Sequence, residues 1–126
     1  MRSNLPSSVA LVVAGCLLAG TAHAQVIKDT VPGIRNLARI ESTVACAGAI
    51  TPDSVPAIRK MGFSSIINLR LASEPGADIE AHQTAAKAAG IKYVHIPFSA
   101  TNPDPAAVDA FLKAIVAPDV APAFIH

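Results

Sequence analysis

The stretch TPDSVPAIRKMGFSSIINLR, residues 51–70, decides the fold class of this 126-residue chain. Its opening, Thr51-Pro52-Asp53-Ser54, combines a hydroxyl, a proline and an acid, which are typical of the first turn of a helix. Because a proline beyond that turn loses a backbone hydrogen bond, Pro56 favours a helix that begins at Ser54. Gly62 ends this helix. Residues 64–69 are apolar and β-branched, so they predict a short buried strand.

The same alternation of helix and strand continues towards the C-terminal side. An alanine-rich helix is predicted over residues 77–89, with Gly90 at the position of a C-cap glycine, and a strand over residues 91–96. A third helix follows Asp104, and residues 121–126 form the last predicted strand. Four apolar residues of this helix have the spacing of a core-facing side: Val108, Phe111, Leu112 and Ile115. The order predicts an α/β fold, with a parallel-dominated sheet flanked by helices and a ligand site beyond the strands' carboxyl ends.

The segment before residue 51 gives weaker signals. Residues 25–36 are interpreted as an irregular lead-in, because Pro32-Gly33 is a turn signal. Residues 37–40 and 43–47 predict two short strands that form a hairpin.

The first 24 residues have the features of a secretory signal. One cation, Arg2, precedes an apolar run over residues 9–20, and small residues then precede a predicted cleavage site after Ala24. The run is too short for the roughly 20 residues that span a bilayer, so no stable membrane span is expected. Cys16 lies in a sequence similar to a lipobox, but the apolar run continues beyond it. We therefore predict a signal peptide over residues 1–24, one domain over residues 25–126, and a periplasmic or secreted protein rather than a lipoprotein.

Charge and cysteine content exclude several function classes. Without the signal, nine cations balance nine acids, so no field attracts a polyanion and nucleic acid is not an expected partner. Cys46 is the one cysteine left and cannot form an internal disulfide. Its most economical interpretation is a small buried residue. The histidines show no compelling metal spacing, so no metal or cofactor is predicted.

Four blocks of the sequence resemble one enzyme family. AGAITPDSVPAIRKMGFSSIINLR, AAKAAGIKYVHIPF, VDAFLKAI and APAFIH together resemble the bacterial dual-specificity, cysteine-dependent protein phosphatases, and in particular the phosphatase-like domain of beta-lactamase-hydrolase-like proteins. The resemblance covers roughly residues 36–126. It implies that APAFIH is the strand that leads into a Cys-x5-Arg phosphate loop, with hydrolysis through a phosphocysteine. We therefore expect a fragment, inactive in this form, that stops one residue before the nucleophile and lacks the following helices.

The resemblance also implies roles for three residues. Asp104 is the candidate general acid, although an aspartate before a proline is also an ordinary helix N-cap. Arg70 is expected to support the site, or otherwise to be solvated or paired with Glu74. His126 precedes the expected nucleophile and helps to orient its loop. Cys46 cannot be that nucleophile, because the sixth residue after it is Pro52 and not arginine.

Two other functions remain open from the sequence. One is a rhodanese-like sulfurtransferase, and the other is a periplasmic binding module without catalysis. Residues beyond His126 would separate them. The phosphatase hypothesis predicts a phosphorylated substrate of unspecified kind and no particular oligomeric state. Of the other histidines, His95 is interpreted as a packed residue and His82 as one that faces water. A missing C-terminal part also predicts an exposed apolar patch.

Overall fold

A six-stranded mixed sheet flanked by helices forms the centre of the computed structural model, which describes residues 24–40 and 42–126. The strands are β1 (Val26–Val31), β2 (Ile34–Ile40), β3 (Val44–Cys46), β4 (Ser65–Asn68), β5 (Lys92–His95) and β6 (Ala123–Ile125). The helices are α1 (Val55–Lys60), α2 (Ile79–Ala89) and α3 (Pro105–Ile115). The strand order is β1-β2-β3-β6-β4-β5, which confirms the predicted α/β class. The predicted signal peptide lies, except for Ala24, outside the described residues.

An N-terminal hairpin corrects the prediction of an irregular lead-in. β1 pairs antiparallel with β2, and the chain turns at Pro32-Gly33, where Gly33 has a φ of 79°. An ion pair between Asp29 and Arg39 joins the two strands, with 2.6 Å between oxygen and nitrogen. The charged residues Asp29 and Arg39 interrupt the apolar pattern from which strands are predicted, so β1 was not predicted from the sequence. The predicted antiparallel pairing of the next two strands, β2 and β3, is confirmed.

Four strands, β3, β6, β4 and β5, run parallel to one another. Ile66 and Phe124 face the core formed with α1 and α2, while Ile67 and Ala123 face the core that α3 covers. Burial on both faces explains why the sequences of these strands are continuous apolar runs rather than alternating ones. The ring of Phe124 meets that of Phe63 edge to face, with centroids 5.6 Å apart.

The helix boundaries follow the capping signals closely. A 3-10 turn over Pro52–Ser54 precedes α1, so the α-helix proper begins after Ser54, as Pro56 indicated. Gly90 ends α2 in the left-handed conformation, with a φ of 65°. Within residues 24–40 and 42–126, no helix is both long and apolar enough to cross a bilayer.

The third helix is less buried than predicted. Phe111 and Ile115 pack against the sheet, but Val108 and Leu112 are 45% and 55% exposed. The side of α3 that packs against the sheet also contains Ala107 and Ala114. Val108 and Leu112 lie outside this side and are exposed to solvent. The exposed large apolar residues in this part of the structure are Phe98, Val108, Leu112 and Val116; they lie on and around α3, and the bare sheet face expected from missing C-terminal helices stays a prediction.

Candidate active site

The carboxyl ends of β4, β5 and β6 meet at one edge of the sheet. His126 follows β6 and is only 5% exposed. Its backbone N–H donates to the carbonyl of Ile67 (3.0 Å), and its own carbonyl accepts from the N–H of Leu69 (2.6 Å). Because both partners belong to the end of β4, the backbone of His126 has a fixed position in the middle of the sheet. Parallel sheets bind their ligands at this edge.

Asn68, the last residue of β4, is fully buried and makes three hydrogen bonds. Its Nδ2 donates to the carbonyl of Ala77 (3.1 Å) and to the hydroxyl of Tyr93 (2.8 Å). Its Oδ1 accepts from the backbone N–H of Arg70 (2.8 Å). Burial raises the pKa of Tyr93, and the hydrogen bond from Asn68 partly opposes that rise. The sequence reasoning missed Asn68, although an amide inside an apolar strand is a usable signal, since buried amides need partners.

The backbone of Arg70 is held from two sides. The N–H is bound by Asn68, and the carbonyl accepts from Nε2 of the half-buried His95 (2.9 Å). The Nε atom of Arg70 is buried and has no hydrogen-bond partner among the described residues. Glu74 does not pair with Arg70 here; its carboxylate accepts from the N–H of Leu71 (2.8 Å).

His82 lies inside the protein, so the prediction that it faces water is wrong. Its side chain is 0% exposed, on the same face of α2 as the buried Ala86. Nδ1 donates to the carbonyl of Ala77 (2.9 Å), which satisfies half of the ring's hydrogen-bonding capacity. The ring stands edge to face with that of His126, with centroids 5.3 Å apart.

The environment of His126 favours the neutral imidazole. Burial is the largest cause of a lowered pKa of His126; together with the electrostatic effects of His82, Arg70 and His95 it lowers this pKa to about 3. A buried cation beside other cations is unfavourable, so the ring is uncharged near neutral pH.

An open cavity of about 380 Å³ lies over this edge. Its lining residues are Leu69, Arg70, Leu71, Glu74, Phe98, Ser99, Ala100, Thr101 and His126. The structure thus brings Arg70 and His126 together, as the sequence predicted. Asp104 is not among the lining residues.

Comparison with known proteins identifies the family. A family model described as the phosphatase-like domain of beta-lactamase hydrolase-like protein matches residues 36–125. The chain belongs to this family. No curated protein sequence matches the chain.

Solved structures with the same fold agree with membership in this phosphatase-like family. A candidate phosphatase from Shewanella putrefaciens CN-32 is 26% identical with a TM-score of 0.66, over 75% of this chain and 59% of that one. P. aeruginosa TpbA is 18% identical with a TM-score of 0.59, over 83% of this chain and 60% of TpbA. The catalytic domain of the PP-IP phosphatase SIW14 from S. cerevisiae is 16% identical with a TM-score of 0.55, over 81% and 58%. The fold is that of the cysteine-dependent phosphatases, and the chain spans about three fifths of these relatives.

Cys46 is not the buried residue that the sequence suggested for this phosphatase-like domain. It lies in β3, beside Ile125 in the parallel register, and it is exposed. The neighbouring Ala45 points into the core, so Cys46 points to the opposite face of the sheet. Among the described residues, no three His, Cys, Asp or Glu side chains are grouped to hold a metal ion.

Asp104 caps α3 in this phosphatase-like domain, and its Oδ1 accepts from the N–H of Ala106 (2.9 Å). Asp104→Ala is expected to lower the free energy of unfolding by about 1 kcal/mol, whereas Asp104→Asn retains the cap and costs less than that. Urea denaturation of the two variants measures the difference. Equal losses in both would contradict the capping role.

Proposed function

We propose that this chain is the part of an exported cysteine-dependent phosphatase that precedes and supports the catalytic loop, and that the enzyme hydrolyses phosphate monoesters. One observation carries the proposal: His126 directly follows the central strand β6 and lines one cavity with Arg70, at the sheet edge where such folds bind ligands. Membership in a phosphatase-like family supports the same class of reaction. Export is proposed from the signal-like sequence of residues 1–24.

The nucleophile is proposed to be a cysteine that directly follows His126 in the complete protein and begins a Cys-x5-Arg loop. Inward-facing N–H groups of such a loop lower the pKa of the thiol and bind a phosphate dianion. The thiolate attacks phosphorus, an acid protonates the leaving oxygen, and water then cleaves the phosphocysteine to release inorganic phosphate. The chemistry requires no metal.

The described side chains fit supporting roles in this reaction. The buried, neutral His126 orients the chain that enters the loop without adding a charge beneath the thiolate. Arg70 lies at the wall of the cavity, with its backbone bound by Asn68 and His95, so its cationic side chain can help to hold a phosphorylated substrate.

This sequence itself contains no Cys-x5-Arg motif. The sixth residue after Cys16 is Ala22, and the sixth after Cys46 is Pro52. A polypeptide that ends at His126 is therefore proposed to be inactive.

Hydrolysis of p-nitrophenyl phosphate tests the proposal. We expect no turnover by a polypeptide ending at His126 and clear turnover by the protein extended through the codons that follow in the gene. Changing the first added cysteine to serine should abolish that turnover, and Arg70→Ala should reduce it. Turnover by the shorter polypeptide would overturn the proposal, as would sulfur transfer from thiosulfate to cyanide without phosphatase activity in the longer one.

A further inference from the structure

Four buried nitrogen atoms at the sheet edge have no hydrogen-bond partner among the described residues. They are Nε of Arg70, Nε2 of His82, and both Nδ1 and Nε2 of His126. Native proteins rarely leave buried polar atoms unsatisfied, because each loses its hydrogen bonds to water without replacement. Four such atoms lie in three neighbouring side chains, so these side chains are candidates to be partners of one another.

The donor and acceptor capacities of the three side chains match. Arg70 Nε always carries a proton and can only donate. Since Nδ1 of His82 donates to the carbonyl of Ala77, Nε2 of the neutral ring is an acceptor. A neutral His126 has one donating and one accepting nitrogen. The set therefore contains two donors and two acceptors, so every atom can be satisfied within it.

The three side chains are also close enough for such pairing. The rings of His82 and His126 have centroids 5.3 Å apart and planes inclined by 79°. Arg70 and His126 line the same cavity. Because none of these nitrogens has a hydrogen-bond partner among the described residues, the pairing requires the His126 ring to turn about its last torsion, which is a soft rotation.

We propose that these groups form a hydrogen-bonded relay in which Arg70 Nε–H donates to one ring nitrogen of His126, the other ring N–H of His126 donates to His82 Nε2, and His82 Nδ1–H donates to the carbonyl of Ala77. His82 is then a positioning residue for His126, acting from α2. The relay selects one orientation and one tautomer of the His126 ring. Asn68 donates to the same Ala77 carbonyl, so this carbonyl anchors both β4 and the relay.

The hydrogen-bonding capacities and the proximity of the three side chains support the relay. Its consequence for catalysis rests on the proposed function. Because His126 would directly precede the nucleophile, a ring held from α2 fixes the orientation of the chain that enters the phosphate loop. Loss of the contact from His82 would loosen that loop without removing any group that touches the substrate.

Nuclear magnetic resonance of the full chain with 15N-labelled histidine tests the relay directly. We expect a scalar coupling across the hydrogen bond between the ring nitrogens of His126 and His82, and a single tautomer of His126 at neutral pH. If the signals of both rings are assigned and show no such coupling, or if His126 is a mixture of tautomers, the proposal is overturned. This measurement needs no variant, so it remains decisive even where a substitution prevents folding.

Two variants separate positioning from packing. His82→Phe keeps the ring volume but removes the acceptor, and we expect His126 to become a mixture of tautomers. His82→Gln supplies an amide oxygen and should restore part of the single-tautomer signal. Tyr93→Phe, which alters a hydrogen bond outside the relay, should leave that signal unchanged. The same signal in wild type and in His82→Phe would also refute the relay.

Activity of the complete protein gives a second readout. We expect His82→Phe to lower kcat about tenfold, equivalent to one hydrogen bond of about 1.4 kcal/mol, with little change in KM. Unchanged kcat would contradict the positioning role. A wild-type protein without phosphatase activity would contradict the proposed function, and the scalar coupling would still decide whether the relay exists.

Discussion

Asn68→Ala is expected to lower the free energy of unfolding by about 3 kcal/mol or more, one of the two largest effects predicted for this protein. The substitution removes three hydrogen bonds, to Ala77, Tyr93 and the N–H of Arg70. A typical hydrogen bond contributes about 1 kcal/mol net, and each buried partner left unsatisfied costs about 1–3 kcal/mol. Asn68 is fully buried, so water cannot replace it without opening the sheet edge.

Urea denaturation of wild type and variants measures this loss. Tyr93→Phe removes only one of the three hydrogen bonds, and it should cost about 1 kcal/mol. Asn68→Asp keeps an acceptor for Arg70 but loses both donated bonds and buries a carboxylate, so it should be at least as destabilising as alanine. A loss of less than about 0.5 kcal/mol in Asn68→Ala, the range of ordinary surface substitutions, would show that Asn68 does not hold the sheet edge together.

Acidification from pH 6.5 towards pH 3 is expected to destabilise the protein through His126. The ordinary pKa of this histidine is 6.5, while the folded value is lowered to about 3, chiefly by burial and then by the electrostatic effects of His82, Arg70 and His95. Between these two values the unfolded chain binds a proton that the folded protein excludes. The contribution of His126 to stability is therefore complete above pH 6.5 and is lost as the pH falls, by up to about 1.4 kcal/mol per pH unit.

His126→Phe is the variant that checks the assignment. Phenylalanine has a similar volume and does not titrate, so the slope of unfolding free energy against pH should become shallower between pH 6 and pH 4 in urea denaturation. Tyr93→Phe does not titrate in this window and should keep the wild-type slope. If the unfolding free energy of wild type and of His126→Phe changed equally with pH, His126 would be protonated in the folded protein at mild acidity.

The parallel part of the fold could be predicted because its signals are local. Gly90, Pro56 and the apolar run of residues 64–69 each determine a boundary or an element within a few residues. The β1–β2 hairpin was missed because Asp29 and Arg39 pair across the two strands, and a charge pair in separate segments has no local signature. The exposure of Leu112 was missed for a similar reason, since it depends on how much of α3 the sheet covers.

The site was predicted in part. Arg70 and His126 converge because strand ends of a parallel sheet share one edge, which is a rule of topology. His82 and Asn68 were missed because their roles depend on the carbonyl of Ala77, and backbone groups carry no sequence signal. Whether a histidine in an alanine-rich helix is buried is decided by what lies beneath it.

The position of β6 has a consequence for how the chain folds during synthesis. β6 is the last described strand in chain order, yet it lies between β3 and β4 and pairs with both. Phe124 therefore has to meet Ala45 and Ile66, which are distant along the sequence, and such high contact order slows folding. As the polypeptide leaves the ribosome, the N-terminal hairpin and the β4–β5 pair can form early. They become one sheet only when β6 pairs with both β3 and β4.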